Sequence, residues 1–229
     1  MYQLAQVAKI YRRRNEEVVA FRAKDLSIGE GEYVAVIGPS GSGKTTLLSL
    51  LGGMLSPDEG RVELCGESLY DLTVTQRTIL RRNLIGFVFQ TFNLIPYLTA
   101  LENVQVPMYL TGVPQSDQRA RATALLEQVG LGHRLQHKPT ELSTGQQQRV
   151  ALARTLANDP KLILADEPTG NLDPESRGIV LDMFDRFVAE RRTIIMVTHD
   201  PAAATRAQRR LRLVDGEVLA ESEAGKRAA

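Results

Sequence analysis

The sequence predicts an α/β fold in which helices cover both faces of a mostly parallel β-sheet. Three short apolar runs support this prediction, at residues 33–37, 162–165 and 193–197. None of them alternates apolar with polar residues, and such continuous apolar strands are typical of parallel sheets that are buried on both faces. Helix-like segments separate the runs, as the crossover connections between parallel strands require.

The two ends of the chain predict a small antiparallel sheet beside this core. Three segments have strand character: 2–11, 18–28 and 61–65. Residues 211–219 predict a β-hairpin, because the turn-forming pair Asp215-Gly216 separates two short apolar strands. The single cysteine, Cys65, ends the third segment, and we expect it to pack within that strand.

The middle of the chain predicts a helical lobe inserted between strands of the core. Residues 116–129 have the pattern of an amphipathic helix that ends at Gly130, and residues 146–158 predict a second helix that ends before Pro160. We therefore expect one domain over residues 1–229. Its parts are a core at about 1–90 and 160–220, a helical subdomain at about 91–159 and a frayed tail at about 221–229.

The charge balance and the apolar segments limit the class of function. The chain has 28 Lys and Arg against 27 Asp and Glu, a formal net charge of only +1, and we expect no nucleic-acid partner. Its N-terminus lacks the pattern of a signal peptide, and no apolar run approaches the roughly 18 residues of a membrane helix. If the protein works at a membrane, another chain must cross the bilayer.

Residues 38–45 fit the phosphate-loop pattern G-x-x-x-x-G-K-[ST] at every fixed position, between a predicted strand and a predicted helix at 45–55. The glycines let the backbone approach phosphate oxygens closely, and the loop N–H groups and the helix N-terminus present positive potential. Lys44 adds a full charge for the β- and γ-phosphates, and the Thr45 hydroxyl suits Mg²⁺. The predicted nucleotide-binding residues are Gly38, Pro39, Ser40, Gly41, Ser42, Gly43, Lys44, Thr45 and Thr46.

Two carboxylates follow the apolar strand at 162–165. Side chains alternate along a strand, so Asp166 and Glu167 should point in different directions. We expect Asp166 to bind the metal ion and Glu167 to activate the attacking water. Pro168 should restrict Glu167 to extended backbone geometry. The alternative interpretation is a strand end that simply turns polar at the surface. The nearby phosphate loop favours the catalytic interpretation over this one.

With these motifs, the sequence resembles the ATP-binding cassette family over nearly its whole length. Residues 142–146 read Leu-Ser-Thr-Gly-Gln and resemble the family signature L-S-G-G-Q. Thr144 stands where glycine is usual. If this position has a positive φ, threonine is strained, whereas an N-cap-like geometry tolerates it. The sequence leaves both possibilities open.

Four further segments resemble family motifs, each at a fitting strand end or loop. Phe89-Gln90 resembles the glutamine loop, residues 171–173 the D-loop, residues 198–200 the switch-histidine motif, and residues 7–11 the aromatic loop that stacks on adenine. Taken singly, Gln90 could be a loop amide, His199 a strand-end histidine with a local partner, and Tyr11 an edge-strand aromatic. Together, the motifs stand in the family's order, which favours the resemblance.

The resemblance implies a P-loop NTPase core and a role for each matching residue. The implied catalytic residues are Glu167, His199, Gln90 and Lys44. The implied Mg²⁺ ligands are Thr45, Gln90 and Asp166. The implied ATP contacts outside the phosphate loop are Tyr11, Ser143, Gly145, Gln146 and Asp173.

The resemblance also implies partners and a place in the cell. Family members form a head-to-tail dimer of two copies around two ATP molecules, and integral membrane permease subunits would dock near residues 91–104. The chain would then be a peripheral protein on the cytoplasmic face of the inner membrane. Segments 86–104 and 165–173 resemble the lipoprotein-release and macrolide-export branch, which implies an ATPase that drives export or extraction of a substrate.

Three other functions share some of these motifs. A cassette ATPase that acts as a cell-division or envelope-signalling switch, through a membrane partner, remains the main alternative. Soluble cassettes of translation carry two cassettes with a basic linker, and those of DNA repair carry a long coiled coil; neither feature is found in the 229 residues. A small-molecule kinase would share the phosphate loop but would lack residues 142–148.

Overall fold

The computed structural model describes residues 1–13 and 16–223, and these form ten strands and seven α-helices. In chain order the elements are β1 (Tyr2–Arg13), β2 (Glu16–Ile28), β3 (Tyr33–Ile37), α1 (Lys44–Leu51), β4 (Glu59–Leu64), β5 (Glu67–Ser68), α2 (Val74–Leu84), β6 (Ile85–Val88), α3 (Ala100–Leu110), α4 (Gln115–Gln128), α5 (Thr144–Thr155), β7 (Leu162–Asp166), α6 (Pro174–Ala189), β8 (Thr193–Thr198), α7 (Pro201–Ala204), β9 (Arg209–Val214) and β10 (Glu217–Glu223).

All the described strands belong to one sheet with the order β5-β4-β1-β2-β10-β9-β3-β8-β7-β6. From β9 to β6 the neighbouring strands are parallel. The β5-β4-β1-β2 part is antiparallel, and it joins the rest through one parallel pair, Arg22 of β2 with Glu217 of β10. The predicted α/β class, with a parallel core and an antiparallel part, is confirmed.

The apolar core strands are buried on both faces, as their sequence predicts. In β3, Tyr33 and Ala35 belong to the core cluster that also contains residues of α3, α4, α5 and α6, whereas Val34 and Val36 belong to the cluster of α1 and the antiparallel strands. Because side chains alternate along a strand, a strand covered on both faces needs an apolar residue at every position.

The helical lobe consists of α3, α4 and α5, whose apolar faces share one core cluster. The helix predicted at 116–129 forms at Gln115–Gln128, and Gly130 with a φ of +74° follows it. Helix α5 begins two residues earlier than predicted, because Ser143 and Gln146 form a capping box: the Gln146 N–H donates to Ser143 Oγ, and the Ser143 N–H donates to Gln146 Oε1.

The C-terminal hairpin forms between β9 and β10 as predicted. Asp215 and Gly216 both have positive φ, 48° and 82°, as a tight hairpin turn requires. Residues 221–223 of the predicted frayed tail extend β10, and residues 224–229 lie outside the described part. Among the described residues, none of the helices has the length and apolar character needed to cross a bilayer.

Two local predictions are wrong. Cys65 follows β4 rather than ending it, with a φ of +53°, and its side chain is exposed. The chain turns there toward β5, so the side chain leaves the packed face of the sheet. Helix α1 ends at Leu51 instead of residue 55, because Gly52 and Gly53 follow and Gly53 adopts a left-handed φ of +65°.

Candidate active site

A cleft of about 1070 Å³ lies at the carboxyl ends of the parallel strands β3, β7 and β8, where doubly wound sheets bind ligands. Twelve of the predicted site residues line it: Gly38, Pro39, Ser40, Gly41, Gly43, Lys44, Thr45, Thr46, Gln90, Asp166, Glu167 and His199. Ser42 is buried beneath the loop, and its carbonyl oxygen accepts the Gly216 N–H at 3.1 Å. One edge of the sheet therefore assembles the phosphate loop and the carboxylate pair.

The phosphate loop needs glycine at two positions of close backbone approach. A Cβ atom on Gly38 would lie 2.1 Å from the carbonyl oxygen of Leu213, and one on Gly43 would lie 2.0 Å from that of Ala20. Gly43 also has a φ of +98° and immediately precedes α1. The loop is thus held against β2 and β9 while its N–H groups and the N-terminus of α1 provide an anion site.

Lys44 lies over the mouth of this loop. Its Nζ atom donates to the carbonyl oxygens of Gly38 at 2.8 Å and Pro39 at 2.7 Å. These contacts hold the ammonium group at the phosphate loop, so a phosphate bound there would meet a full positive charge as well as the loop N–H groups.

Asp166 and Thr45 form an oxygen pair beside the loop. Burial raises the pKa of Asp166, and the neighbouring Glu167 carboxylate raises it further, whereas a hydrogen bond from Thr45 and the charge of Lys44 act in the opposite direction. A half-buried carboxylate next to a hydroxyl is a donor set that suits a hard divalent cation such as Mg²⁺.

Glu167 differs from the sequence expectation, because its φ is +46° rather than extended. Its N–H donates to Val197 O at 2.9 Å, and its carbonyl oxygen accepts the Gly170 N–H at 3.1 Å across a turn that contains Pro168. These two hydrogen bonds override the usual preference of a residue before proline. The Glu167 carboxylate faces His199, whose Nδ1 lies 2.8 Å from Oε1.

Gln90 lies two residues after β6 and is attached to the D-loop. The Asn171 Nδ2 group donates to the Gln90 carbonyl oxygen at 3.1 Å, and Gln90 Nε2 lies 3.5 Å from Asn171 Oδ1. Both residues therefore sit beside the cleft, with the Gln90 side chain at its wall.

Tyr11 lies at the rim of the cleft rather than among its lining residues. It pairs with Val18 across β1 and β2, and Val18 lines the cleft. Directly opposite residues of an antiparallel pair have neighbouring side chains, so Tyr11 lies next to a residue of the cleft wall. It is 49% exposed, with Lys9 Nζ 5.6 Å from its ring centre.

Four other predicted ATP contacts, Ser143, Gly145, Gln146 and Asp173, do not line the cleft. With Thr144 they form a separate patch, here called the signature surface. Ser176 of α6 connects residues 143–146 with Asp173: a Cβ on the buried Gly145 would lie 2.1 Å from Ser176 Oγ, and the Ser176 N–H donates to Asp173 at 2.9 Å as the cap of α6.

The structure decides between a positive φ and a helix-start geometry at Thr144. Thr144 is the first residue of α5, is exposed, and has no positive φ, whereas Ser143 before it is the N-cap. Threonine at this position therefore carries no left-handed strain.

Five cleft residues were not predicted: Glu17, Val18, Val19, Ala20 and Asp215. Asp215 follows β9, which pairs with β3 in parallel, so its strand ends at the same edge as the phosphate loop. The Asp-Gly turn was visible in the sequence, but the strand pairing that brings it to the cleft was not. Residues 17–20 carry no motif, and they line the cleft because of where β2 lies in the sheet.

The family model and the similar proteins agree on one protein family. Residues 21–170 match the family described as ABC transporter. The lipoprotein-releasing system ATP-binding protein LolD of Pseudomonas syringae pv. tomato is 48% identical over 216 residues, which cover 93% of this chain and 94% of that protein. The macrolide export ATP-binding/permease protein MacB 1/2 of Paracoccus denitrificans is 48% identical over 205 residues, 90% of this chain but 31% of that longer protein.

A solved structure extends the likeness to the fold. The dimeric structure of a post-hydrolysis state of the ATP-binding cassette MJ0796, bound to ADP and Pi, has a TM-score of 0.89 and 42% sequence identity, and covers 98% of this chain and 99% of that chain. This chain therefore belongs to the ABC transporter family, and it is an ATP-binding subunit and ATPase of that family.

Proposed function

We propose that the chain binds Mg²⁺ and ATP in the cleft, hydrolyses ATP as a head-to-tail dimer of two copies, and drives a membrane permease that exports or extracts a substrate. One observation carries this proposal: the predicted ATP contacts divide between the cleft and the signature surface. Ser143, Gly145, Gln146 and Asp173 do not line the cleft of their own copy, whereas the signature surface of a second copy can face that cleft across a nucleotide.

In the cleft, the phosphate loop and Lys44 hold the phosphates, and Tyr11 stacks on adenine at the rim. Thr45, Asp166 and Gln90 hold Mg²⁺, which, when bound, neutralises phosphate charge. Glu167 accepts a proton from the attacking water, since its carboxylate ends a strand at the wall of the cleft. His199 donates to that carboxylate and orients it.

The signature surface supplies the remaining contacts to the partner's ATP. The Ser143 hydroxyl and the Gly145 N–H lie at the N-terminus of the 12-residue helix α5, whose dipole favours the negative charge of a γ-phosphate. Gln146 and Asp173 flank them. The neighbouring cassette, whose structure is dimeric and bound to ADP and Pi, supports a dimer of two copies.

A mostly apolar groove of about 530 Å³ between α2 and α3 suits the permease. Asn93 of the predicted docking segment lines it. Phe89, which precedes Gln90, and Leu110, which is 68% exposed, also line it. Arg81 and Arg82 line it too. An apolar groove with cationic groups, attached to the glutamine loop, fits a short helix of a membrane subunit and would transmit nucleotide-dependent movement to it.

The place in the cell follows from such a partner. A chain that docks on a permease through this groove is a peripheral protein on the cytoplasmic face of the inner membrane. The names of LolD and MacB support lipoprotein extraction or export as the work that is driven. A cell-division or envelope-signalling switch is the second candidate, since it would use the same cleft and groove.

The test is isolation of the complex from membranes. The chain with Glu167→Gln, which should trap the ATP-bound dimer, is tagged and purified with and without ATP. A Leu110→Asp variant should lose the membrane subunit, whereas Leu219→Asp, at a residue 59% exposed on β10, should retain it. Recovery of no membrane protein would contradict the proposal. A membrane partner without substrate release in vesicles would support the switch.

A further inference from the structure

Helix α5 contacts the catalytic segment through a buried glutamine. Gln148 is fully buried, and its Nε2 group donates at 2.5 Å to the carbonyl oxygen of Pro168, the residue after Glu167. Its Oε1 atom is buried without a hydrogen-bond partner among the described residues. The hydrogen bond satisfies the buried Pro168 carbonyl oxygen, but the amide that donates it is itself left half-satisfied, which is unfavourable in a buried position.

The segment that Gln148 holds is conformationally unusual. Glu167 has a φ of +46°, which is unfavourable for a residue with a side chain and persists only where the surroundings hold it. Two backbone hydrogen bonds, Glu167 N–H to Val197 O and Gly170 N–H to Glu167 O, hold the residue itself. The hydrogen bond from Gln148 fixes the next peptide, which limits rotation of the Glu167 backbone and therefore the direction of its carboxylate.

We propose that Gln148 is a positioning residue for Glu167: its amide fixes the Glu167–Pro168 backbone so that the carboxylate faces His199 and the cleft. The inference rests on the proposed role of Glu167 as the base. It has a further consequence in a head-to-tail dimer. The first turn of α5 contacts the partner's ATP, while Gln148 on the next turn holds the base of its own site, so one rigid helix links the two sites.

The competing explanation is that Gln148 only stabilises the fold, and the chain contains a matched control for it. Gln118 on α4 is 3% exposed, its Nε2 group donates to Val113 O at 2.5 Å, and its Oε1 atom is also buried without a partner. It does not line the cleft. Replacing either glutamine by methionine removes one amide-to-carbonyl hydrogen bond of 2.5 Å, which is buried at Gln148 and part-buried at Gln118.

The first experiment compares Gln148→Met with Gln118→Met by thermal unfolding and steady-state kinetics. We expect similar decreases in Tm. Only Gln148→Met should lower kcat, by about tenfold or more, because a small misplacement of a catalytic group has a large effect on rate. KM for ATP should stay unchanged in both variants. A wild-type kcat for Gln148→Met, or equal losses in the two variants, would overturn the proposal.

The second experiment separates this inference from the proposed function. ATP-driven dimerisation is measured in Glu167→Gln with and without Gln148→Met, and we expect equal dimer formation, because the Ser143–Gln146 capping box is retained. Loss of the dimer would show that Gln148 acts through the signature surface and would refute the positioning role. Rapid hydrolysis by Glu167→Gln alone would show that Glu167 is not the base, and it would reject the proposed function rather than the role of Gln148. An inactive Glu167→Gln with a fully active Gln148→Met would reject only the inference.

Discussion

The Nδ1 atom of His199 lies 2.8 Å from Oε1 of Glu167, and the His199 backbone N–H donates to Oε2 of the same carboxylate at 3.3 Å. The two residues follow β7 and β8, which are neighbours in the sheet, so strand pairing alone brings them together. The Glu167 side chain is 15% exposed and that of His199 is 69% exposed. The carboxylate is therefore fixed, whereas the imidazole has room to turn toward a γ-phosphate.

Glu167→Gln should keep ATP binding and nearly abolish turnover, because an amide is a poor proton acceptor and general-base catalysis contributes about 10²–10⁴-fold. The variant should also accumulate as an ATP-bound dimer. Phosphate release and size-exclusion chromatography with ATP measure the two effects. The exposed Glu127→Gln on α4 is the control, and near-normal phosphate release by Glu167→Gln would reject Glu167 as the base.

His199→Ala should lower turnover by about tenfold to a hundredfold, because the Glu167 carboxylate loses the side-chain group that orients it. ATP affinity should be unchanged, since the two hydrogen bonds of His199 in the cleft go to the Glu167 carboxylate. Single-turnover hydrolysis and calorimetry test the two statements separately. His133→Ala on the lobe surface should behave as the wild type, and a weaker ATP affinity for His199→Ala would place the histidine in binding instead.

Lys44→Ala should weaken ATP binding by tenfold or more, on the order expected for a lost charge-assisted contact. The loss should be larger for ATP than for AMP, because the ammonium group lies where the β- and γ-phosphates would be. Calorimetry with both nucleotides in Mg²⁺ measures this difference. Lys161→Ala, at an exposed lysine before β7, controls for net charge, and equal losses for ATP and AMP would contradict the assigned position.

Asp166 should make Mg²⁺ binding depend on pH. Burial, with the adjacent Glu167 charge, raises the pKa of Asp166, so this group takes up a proton at a higher pH than an ordinary aspartate does. Mg²⁺ binds the ionised form. Its affinity should therefore be full above the raised pKa and should fall as the pH drops through it. In Mg²⁺ titrations of the ATP complex, the affinity of the wild type should fall more steeply with decreasing pH than that of Asp166→Asn. The variant measures the part of the fall that is due to ionisation of ATP itself. Equal slopes in the two proteins would reject Asp166 as a ligand.

Sequence patterns predicted the parts of the site that depend on local chain geometry. The phosphate loop, the strand that ends at Asp166 and the hairpin turn at Asp215-Gly216 each need particular residues at fixed spacing, and the structure has each of them. The parallel core could be predicted because a strand buried on both faces leaves a continuous apolar run.

Contacts that depend on packing between distant elements could not be predicted. Pro168 favours extended geometry at Glu167, but hydrogen bonds from β8 and the following turn impose a positive φ. The Gln148 contact with Pro168 spans 20 residues and has no sequence signal. Asp215 reaches the cleft only because β9 pairs in parallel with β3.

Thr144→Gly tests the signature surface, because Thr144 stands where the family usually has glycine. The backbone of Thr144 is helical, so glycine relieves no strain there and should lower the free energy of unfolding by less than about 1 kcal/mol. Its exposed side chain stands beside Ser143 and Gly145, on the surface that would close on the partner's ATP. Removing it should raise ATP-driven dimerisation of the Glu167→Gln protein and raise turnover of the otherwise wild-type protein, while ATP affinity of the monomer stays the same.

Thr140→Gly, at an exposed residue four positions before Thr144, controls for the loss of a threonine side chain. A decrease in dimerisation would show that the threonine contributes a contact to the partner. A change in monomer affinity as large as the change in turnover would mean that residue 144 acts on the nucleotide of its own chain, and the division of the ATP contacts between two copies would be wrong.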